Sequence, residues 1–200
     1  MRATCLAALF VALFVSAASA SGQFFVAFYA DRNGTSCDIA ANNPGFLEVH
    51  VVLEGSGLAT GTGFRALKPP CMRSAVWIAD AWNPEGGVAT GTLGNTQHPD
   101  GVGVFFVCHS LPVYLGRIMY IVTEPTDPCC RYEPTPFLGE GPPYNIKMFL
   151  MSECNVPNFD LFSEAAQPKG VVMNPNASCM CDLPLPVHDT TWGAVKALYR

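Results

Sequence analysis

Short apolar or alternating runs recur along this 200-residue chain between clusters of Gly, Pro and Asn, while helical periodicity is almost absent before the last dozen residues. Gln23–Ala30, Phe46–Leu53, Arg73–Ala79, Val88–Leu93, Gly101–Cys108, Val113–Val122, Ile146–Met151 and Gly170–Met173 read as β-strands. They are rich in Val, Ile, Phe and Tyr, which pack well on a pleated surface, and turn residues bound them. Within Phe46–Leu53, Glu48 and His50 alternate with Leu47, Val49 and Val51, the pattern of a strand with one face in water. The stretch Gly101–Val122 is more continuously apolar, which places its strands at the centre of the fold. It approaches the length of a membrane span, but His109-Ser110-Leu111-Pro112 breaks it and Arg117 lies in its second half. Two strands joined by a tight turn fit it better. The whole pattern predicts an all-β protein, a single-domain β-sandwich.

Three regions depart from this pattern. Glu124–Pro143 holds six prolines around Cys129-Cys130 and reads as a stiff loop, because proline fixes φ and removes a backbone donor. Asn155–Lys169 is a second irregular stretch, with room for a helical turn around Phe159–Ala165. The last residues predict a short C-terminal helix, capped by Asp189, Thr190 or Thr191, with Trp192, Val195, Leu198 and Tyr199 on one face. A repeat also stands out: Gly57-Leu58-Ala59-Thr60-Gly61-Thr62 returns as Gly87-Val88-Ala89-Thr90-Gly91-Thr92. Shared turn chemistry explains it more simply than duplication.

The N-terminus changes the compartment. Arg2, an apolar run from Cys5 to Val15, and Ala18-Ser19-Ala20 have the form of a signal peptide cleaved after Ala20. That divides the chain into residues 1–20, a disulfide-bonded domain over 21–188 and a tail over 189–200. Of nine cysteines, Cys5 falls in the leader. Cys37, Cys71, Cys108, Cys129, Cys130, Cys154, Cys179 and Cys181 remain, an even set that in an exported chain reads as four disulfides stapling the loops. Of the 105 connectivities that eight cysteines allow, the expected one joins Cys37 to Cys71, Cys108 to one of Cys129 and Cys130, and Cys154 to one of Cys179 and Cys181. The remaining two would tie the Pro-rich loop to the C-terminal segment. Zinc knuckles need a Cys-x2–4-Cys spacing that adjacent and i,i+2 cysteines do not supply. No cofactor and no metal is expected.

Charge excludes some partners. Without Arg2, ten Lys and Arg face sixteen Asp and Glu, and no three basic residues are consecutive. No nucleic-acid partner is therefore expected, since binding it needs clustered cations. No membrane span is expected in the mature chain.

Candidate chemistry is sparse. There is no Gly-x-Ser-x-Gly elbow and no His-Glu-x-x-His motif, and paired cysteines leave no free thiol. Among the histidines, His50 falls on the wet face of a strand, His98 and His188 in turns, and His109 beside Cys108. Asp31, Asn33 and Asp38 resemble the start of a calcium loop, but position twelve is Asn42 where the loop needs Glu, and an Asx turn at Gly34 explains them better. Trp77, mid-strand, reads as core. Trp82, in the following loop near Asp80 and Asn83, has the better claim to exposure and to sugar stacking, and Trp192 is a second binding candidate. Asn33 and Asn176 begin glycosylation sequons.

Phe28-Tyr29-Ala30-Asp31 with Gly34-Thr35-Ser36-Cys37, Pro70-Cys71 followed by Trp77, the Cys129-Cys130 pair, and the closing Thr191-Trp192-Gly193-Ala194-Val195-Lys196-Ala197-Leu198-Tyr199 resemble a group of secreted bacterial proteins of similar length. The resemblance implies a bacterial source and brings no activity, cofactor or catalytic residue. The tail element also resembles the tails of otherwise dissimilar exported bacterial proteins, which makes a recognition handle for export or surface attachment a separate possibility for Trp192, Val195 and Leu198.

No set of nucleophile, base and stabiliser converges in the sequence, whereas structural cysteine is abundant. The sequence therefore points to a secreted or periplasmic, non-enzymatic binding or structural protein for an extracellular or cell-envelope ligand. Its alternatives are an extracellular hydrolase with a dispersed Asp/Glu/His site and a carbohydrate-binding module.

Overall fold

Among the residues that the computed structural model describes (24–84, 87–138, 147–154, 160–162 and 169–181) the chain forms strands and no helix. In chain order these are β1 (Phe25–Tyr29), β2 (Asp38–Ile39), β3 (Gly45–Glu54), β4 (Leu58–Arg65), β5 (Ala75–Trp82), β6 (Ala89–Gly94) and β7 (Val102–Ser110). Then come β8 (Val113–Val122), β9 (Cys130–Tyr132), β10 (Thr135–Leu138), β11 (Lys147–Glu153), β12 (Asp160–Phe162) and β13 (Val171–Met173). They build a four-stranded sheet ordered β1-β3-β8-β5 and a six-stranded sheet ordered β12-β11-β10-β4-β7-β6. A small sheet, β2-β13-β9, pairs β13 parallel to β2 and antiparallel to β9.

The two larger sheets pack as a sandwich, and the alternation along each strand decides which face they share. Leu47, Val49 and Val51 of β3, Ile118 and Tyr120 of β8, and Val102, Val104 and Phe106 of β7 are all buried. Aromatic rings run through the core: Phe28 meets Phe64 edge-on at 6.2 Å and Tyr132 at 5.1 Å, and Tyr120 meets Tyr132 at 6.0 Å. Each such fully buried side chain is worth roughly 1.5–3 kcal/mol of transfer free energy. The expected all-β sandwich is thus the observed fold.

The two strands expected over Gly101–Val122 do form, as β7 and β8, each internal to its own sheet. The turn at Ser110-Leu111-Pro112 carries the chain from one sheet to the other, where β8 lies between β3 and β5. Several expectations need correction. The Pro-rich stretch is not a bare loop, because β9 and β10 form inside it; Pro136 itself pairs with Phe64 of β4. Where a helical turn was expected, Asp160–Phe162 is a strand against β11. Strand β4 has no counterpart in the sequence reading, although the second copy of its repeat, in β6, was read as a strand; its Gly, Ala and Thr content carries little apolar alternation.

The repeat finds its meaning in β4 and β6. The first copy lies in β4 and the second in β6, and these flank β7 from opposite sides. Gly61 and Gly91, the fifth residues of the copies, both stand opposite Phe105. A Cβ on Gly61 would come within 3.3 Å of the Phe105 ring, and one on Gly103 within the same distance. The ring thus lies over two bare glycines on the outer face, covering backbone that no side chain covers.

Four disulfides form, Cys37–Cys181, Cys71–Cys130, Cys108–Cys154 and Cys129–Cys179, with Cα–Cα distances of 5.4–5.9 Å. Three of the expected pairings are overturned, those of Cys37 with Cys71, of Cys108 with Cys129 or Cys130, and of Cys154 with Cys179 or Cys181. The link from the Pro-rich stretch to the C-terminal segment is present as Cys129–Cys179. The signal peptide, His188, Trp192 and the C-terminal helix lie outside the described residues.

Candidate functional site

The outer face of the four-stranded sheet divides into a polar end and an apolar end, and strand parity dictates both. In β3 the residues out of phase with Leu47, Val49 and Val51 are Phe46, Glu48 and His50. At the polar end, Arg117 of β8, paired with His50, reaches Glu48 at 3.2 Å. His50 Nδ1 is 3.0 Å from the Tyr114 hydroxyl, and the Arg32 guanidinium lies 5.1 Å from the centre of the Tyr114 ring. Burial holds the His50 imidazole below its ordinary pKa, helped by Arg117 and Arg32 and opposed by Glu48 and Asp31. Nearby, Tyr29 donates its hydroxyl proton to Glu54 at 2.9 Å, and burial followed by that bond raises its pKa. These groups bond one another, but the buried Nε of Arg117 has no hydrogen-bond partner among the described residues.

The apolar end has no such partners. Register sets Phe46 of β3 opposite Ile121 of β8, and Ile121 opposite Val76 of β5. The three form one row across three strands, 79%, 40% and 61% exposed respectively. Ile78 joins them at 40%, displaced by the irregularity in β5 between Trp77 and Ala79. Gly116 keeps β8 and β5 together at the far end, where any side chain would run into the Ala81 carbonyl.

Elsewhere polar groups serve the fold. Asp31 accepts bonds from the amides of Asn33, Thr35 and Ser36 and from the Thr35 hydroxyl, at 2.6–3.3 Å. Burial alone would raise its pKa, but these bonds lower it on balance. Gly34, at φ 68°, closes this Asx turn against the Tyr29 ring. Asn33 is exposed, and Asp38 accepts the Cys181 amide at 3.1 Å. Among the described residues no group of three His, Cys, Asp or Glu is placed to hold a metal.

Trp82 is the last residue of β5 and not part of a loop; half-buried, it packs edge-on against Phe64 at 6.1 Å. Trp77 donates its ring N–H to Asp80 at 3.0 Å, and Asp80 also binds the amide and hydroxyl of buried Thr96. Gln97 continues this network, donating to the Ala66 carbonyl and the Tyr120 hydroxyl and accepting the Lys68 amide. Tyr120 and Tyr132 hydroxyls meet at 2.9 Å, and Tyr132 donates to Ala66. Burial raises both phenol pKa values, so they stay neutral and act as fasteners between sheets. His98 stands 3.4 Å from Asp100, but both are in one exposed turn, and the Asp100 amide occupies the same Nδ1. His109 sits on an exposed part of β7 opposite Ala59. Asn176, in the second sequon, accepts from the amide and hydroxyl of Ser178.

The exposed row was missed by sequence reasoning, although part of its signal was present. Phe46 shares the parity of the wet residues Glu48 and His50. No helix among the described residues is long and apolar enough to cross a membrane, and four disulfides fit an oxidising compartment. No family model and no curated protein matches the chain. Among solved structures, the sixth cohesin of Acetivibrio cellulolyticus scaffoldin B, crystallised with a mutant Cel5 dockerin, is similar at a TM-score of 0.47 and 11% identity, covering 76% of this chain and 99% of that one. A likeness at that distance carries no argument about function.

Proposed function

We propose that this is a secreted, non-enzymatic module that binds another protein through the outer face of its four-stranded sheet. The single observation behind this reading is the row Phe46, Ile121 and Val76, three large apolar side chains aligned by strand register and left in water. Scattered apolar residues are normal on a surface, whereas a contiguous, rigidly presented group bordered by polar residues is typical of a protein interface. The Glu48–Arg117 pair and His50 form one border of the patch and supply directional contacts at a rim. The partner this chemistry fits is a protein with an apolar surface of its own.

The test is the double variant Val76→Lys/Ile121→Lys, at positions whose side chains point away from the core. A partner co-purified from the extracellular fraction of the source is identified and titrated against both purified forms. The double variant should bind about tenfold more weakly or worse, a loss of roughly 1.4 kcal/mol. Equal affinity for the two forms would remove this face as the site.

A further inference from the structure

The sheets have free edges, and most carry a charge or a cover. Lys169 bridges to Ala27 along β1 and its carbonyl accepts the Phe28 amide. Lys68 donates its ammonium to the Ala75 carbonyl at the start of β5, at 2.7 Å. Asp38 lies in β2, Arg131 in β9 and Asp160 in β12. Among the described residues strand β6 has neither protection. It ends the six-stranded sheet, and residues 88–94 contain no charge and no proline. Among the described residues no backbone bond from outside the sheet reaches them. An edge left this way is a template for another strand.

Beside this edge the outer face is apolar, with Leu93 70%, Phe105 36% and Val107 64% exposed. A Cβ on Gly91 would meet nothing within 4 Å. We infer that β6 pairs with β6 of a second copy of this chain, antiparallel about a two-fold axis at Thr92, joining two six-stranded sheets into one.

The register follows from the pleat. Paired residues in a sheet share a face, so a two-fold normal to the sheet must pass midway between one residue and its own copy. Centred on Thr92, it sets Thr92 opposite Thr92 and Leu93 of each copy opposite Gly91 of the other. Because Gly91 stands beside Phe105, the row becomes Gly61, Phe105, Gly91 and the second copy's Leu93. Phe105 and that Leu93 are two strand spacings apart, roughly 9.5 Å, with only a glycine between them. The Phe105 ring, turned towards Gly61 and Gly103, leaves the space over Gly91 open, so the second copy's Leu93 can lean into it, and the symmetry produces this twice. Threonine facing threonine is a favourable cross-strand pair, and an uncharged strand meets no like-charge repulsion from its own copy. The surface is separate from the Phe46 row, so either can fail alone.

Sedimentation equilibrium of the mature chain, from low to high micromolar, tests this together with four variants. Dimerisation is expected, weakened roughly tenfold or more by Leu93→Lys and by Thr92→Pro, and unchanged by Phe46→Lys. Thr92→Cys should cross-link copies under mild oxidation. Leu93 is exposed, so Leu93→Lys reports on association even if Thr92→Pro fails to fold. A chain that stays monomeric throughout overturns the proposal. So does a dimer that Leu93→Lys leaves intact, or a monomer whose β6 takes only an extended foreign peptide.

Discussion

Asn174 shows how much a single side chain can hold in a fold of this kind. It is buried at φ 49°, a left-handed conformation that asparagine tolerates better than other side chains. Its Oδ1 accepts the Ala41 amide at 2.7 Å, and its Nδ2 donates to the Ala41 carbonyl and to both oxygens of Thr126. Its own carbonyl accepts the Cys129 amide. One residue thus binds the chain after β2, the start of the Pro-rich stretch and the end of β13. Asn174→Ala strands buried partners and places a methyl at positive φ, so urea unfolding should show a loss of about 3–5 kcal/mol. Asn174→Gly should recover about 1 kcal/mol of that, since only the strain is relieved. No sequence signal marked Asn174, because its partners are 48 and 133 residues away.

At the scale of elements, β4 and β6 carry the same six-residue pattern to different ends. Gly61 is enclosed: a Cβ there would lie 3.0 Å from the Val104 carbonyl and 3.3 Å from the Phe105 ring. Gly91 is open. Alanine at these equivalent positions should therefore behave oppositely. Gly61→Ala should destabilise by about 1–2 kcal/mol through overpacking against backbone. Gly91→Ala should be neutral or stabilise by up to about 1 kcal/mol by restricting the unfolded chain. Thermal unfolding at low protein concentration compares the two, and equal effects would show that Phe105 does not discriminate the copies. The strands rich in Val, Ile and Phe were legible because their alternation is a local property. β4 was not, because its burial comes from neighbours on both sides and a ring donated by β7.

For the whole molecule, the disulfides join segments that no local rule connects. Cys37–Cys181 spans 144 residues and Cys71–Cys130 spans 59. In the chain-entropy account such closures are each worth about 4–5 kcal/mol, comparable to the net stability of a small domain. Cys108–Cys154 lies within the six-stranded sheet, linking β7 to the residue after β11, whereas the other three tie the β2-β13-β9 region together and to the start of β5. Peptide mapping without reduction should return the four pairs described above and no Cys129–Cys130 bond. Replacing Cys37 and Cys181 together by Ser should lower stability by about 2–5 kcal/mol. A smaller loss would mean that the small sheet is held by Asn174 and its neighbours alone.

The sequence by itself determined the class of fold, the even set of cysteines, most strand positions and the parity that turns Phe46 away from Leu47, Val49 and Val51. All of these follow from spacing along the chain, which local sterics and the pleat translate directly into which face a residue occupies. The tertiary structure alone decided which strands are partners, which cysteines meet, and that Phe46, Ile121 and Val76 share one row. The reason is loop closure: bringing distant segments together costs an entropy that varies only slowly with separation, so many topologies satisfy the same local pattern. The packing of two complete sheets chooses among them. That choice also leaves the Phe46 row and the β6 edge facing water, where another chain can use them.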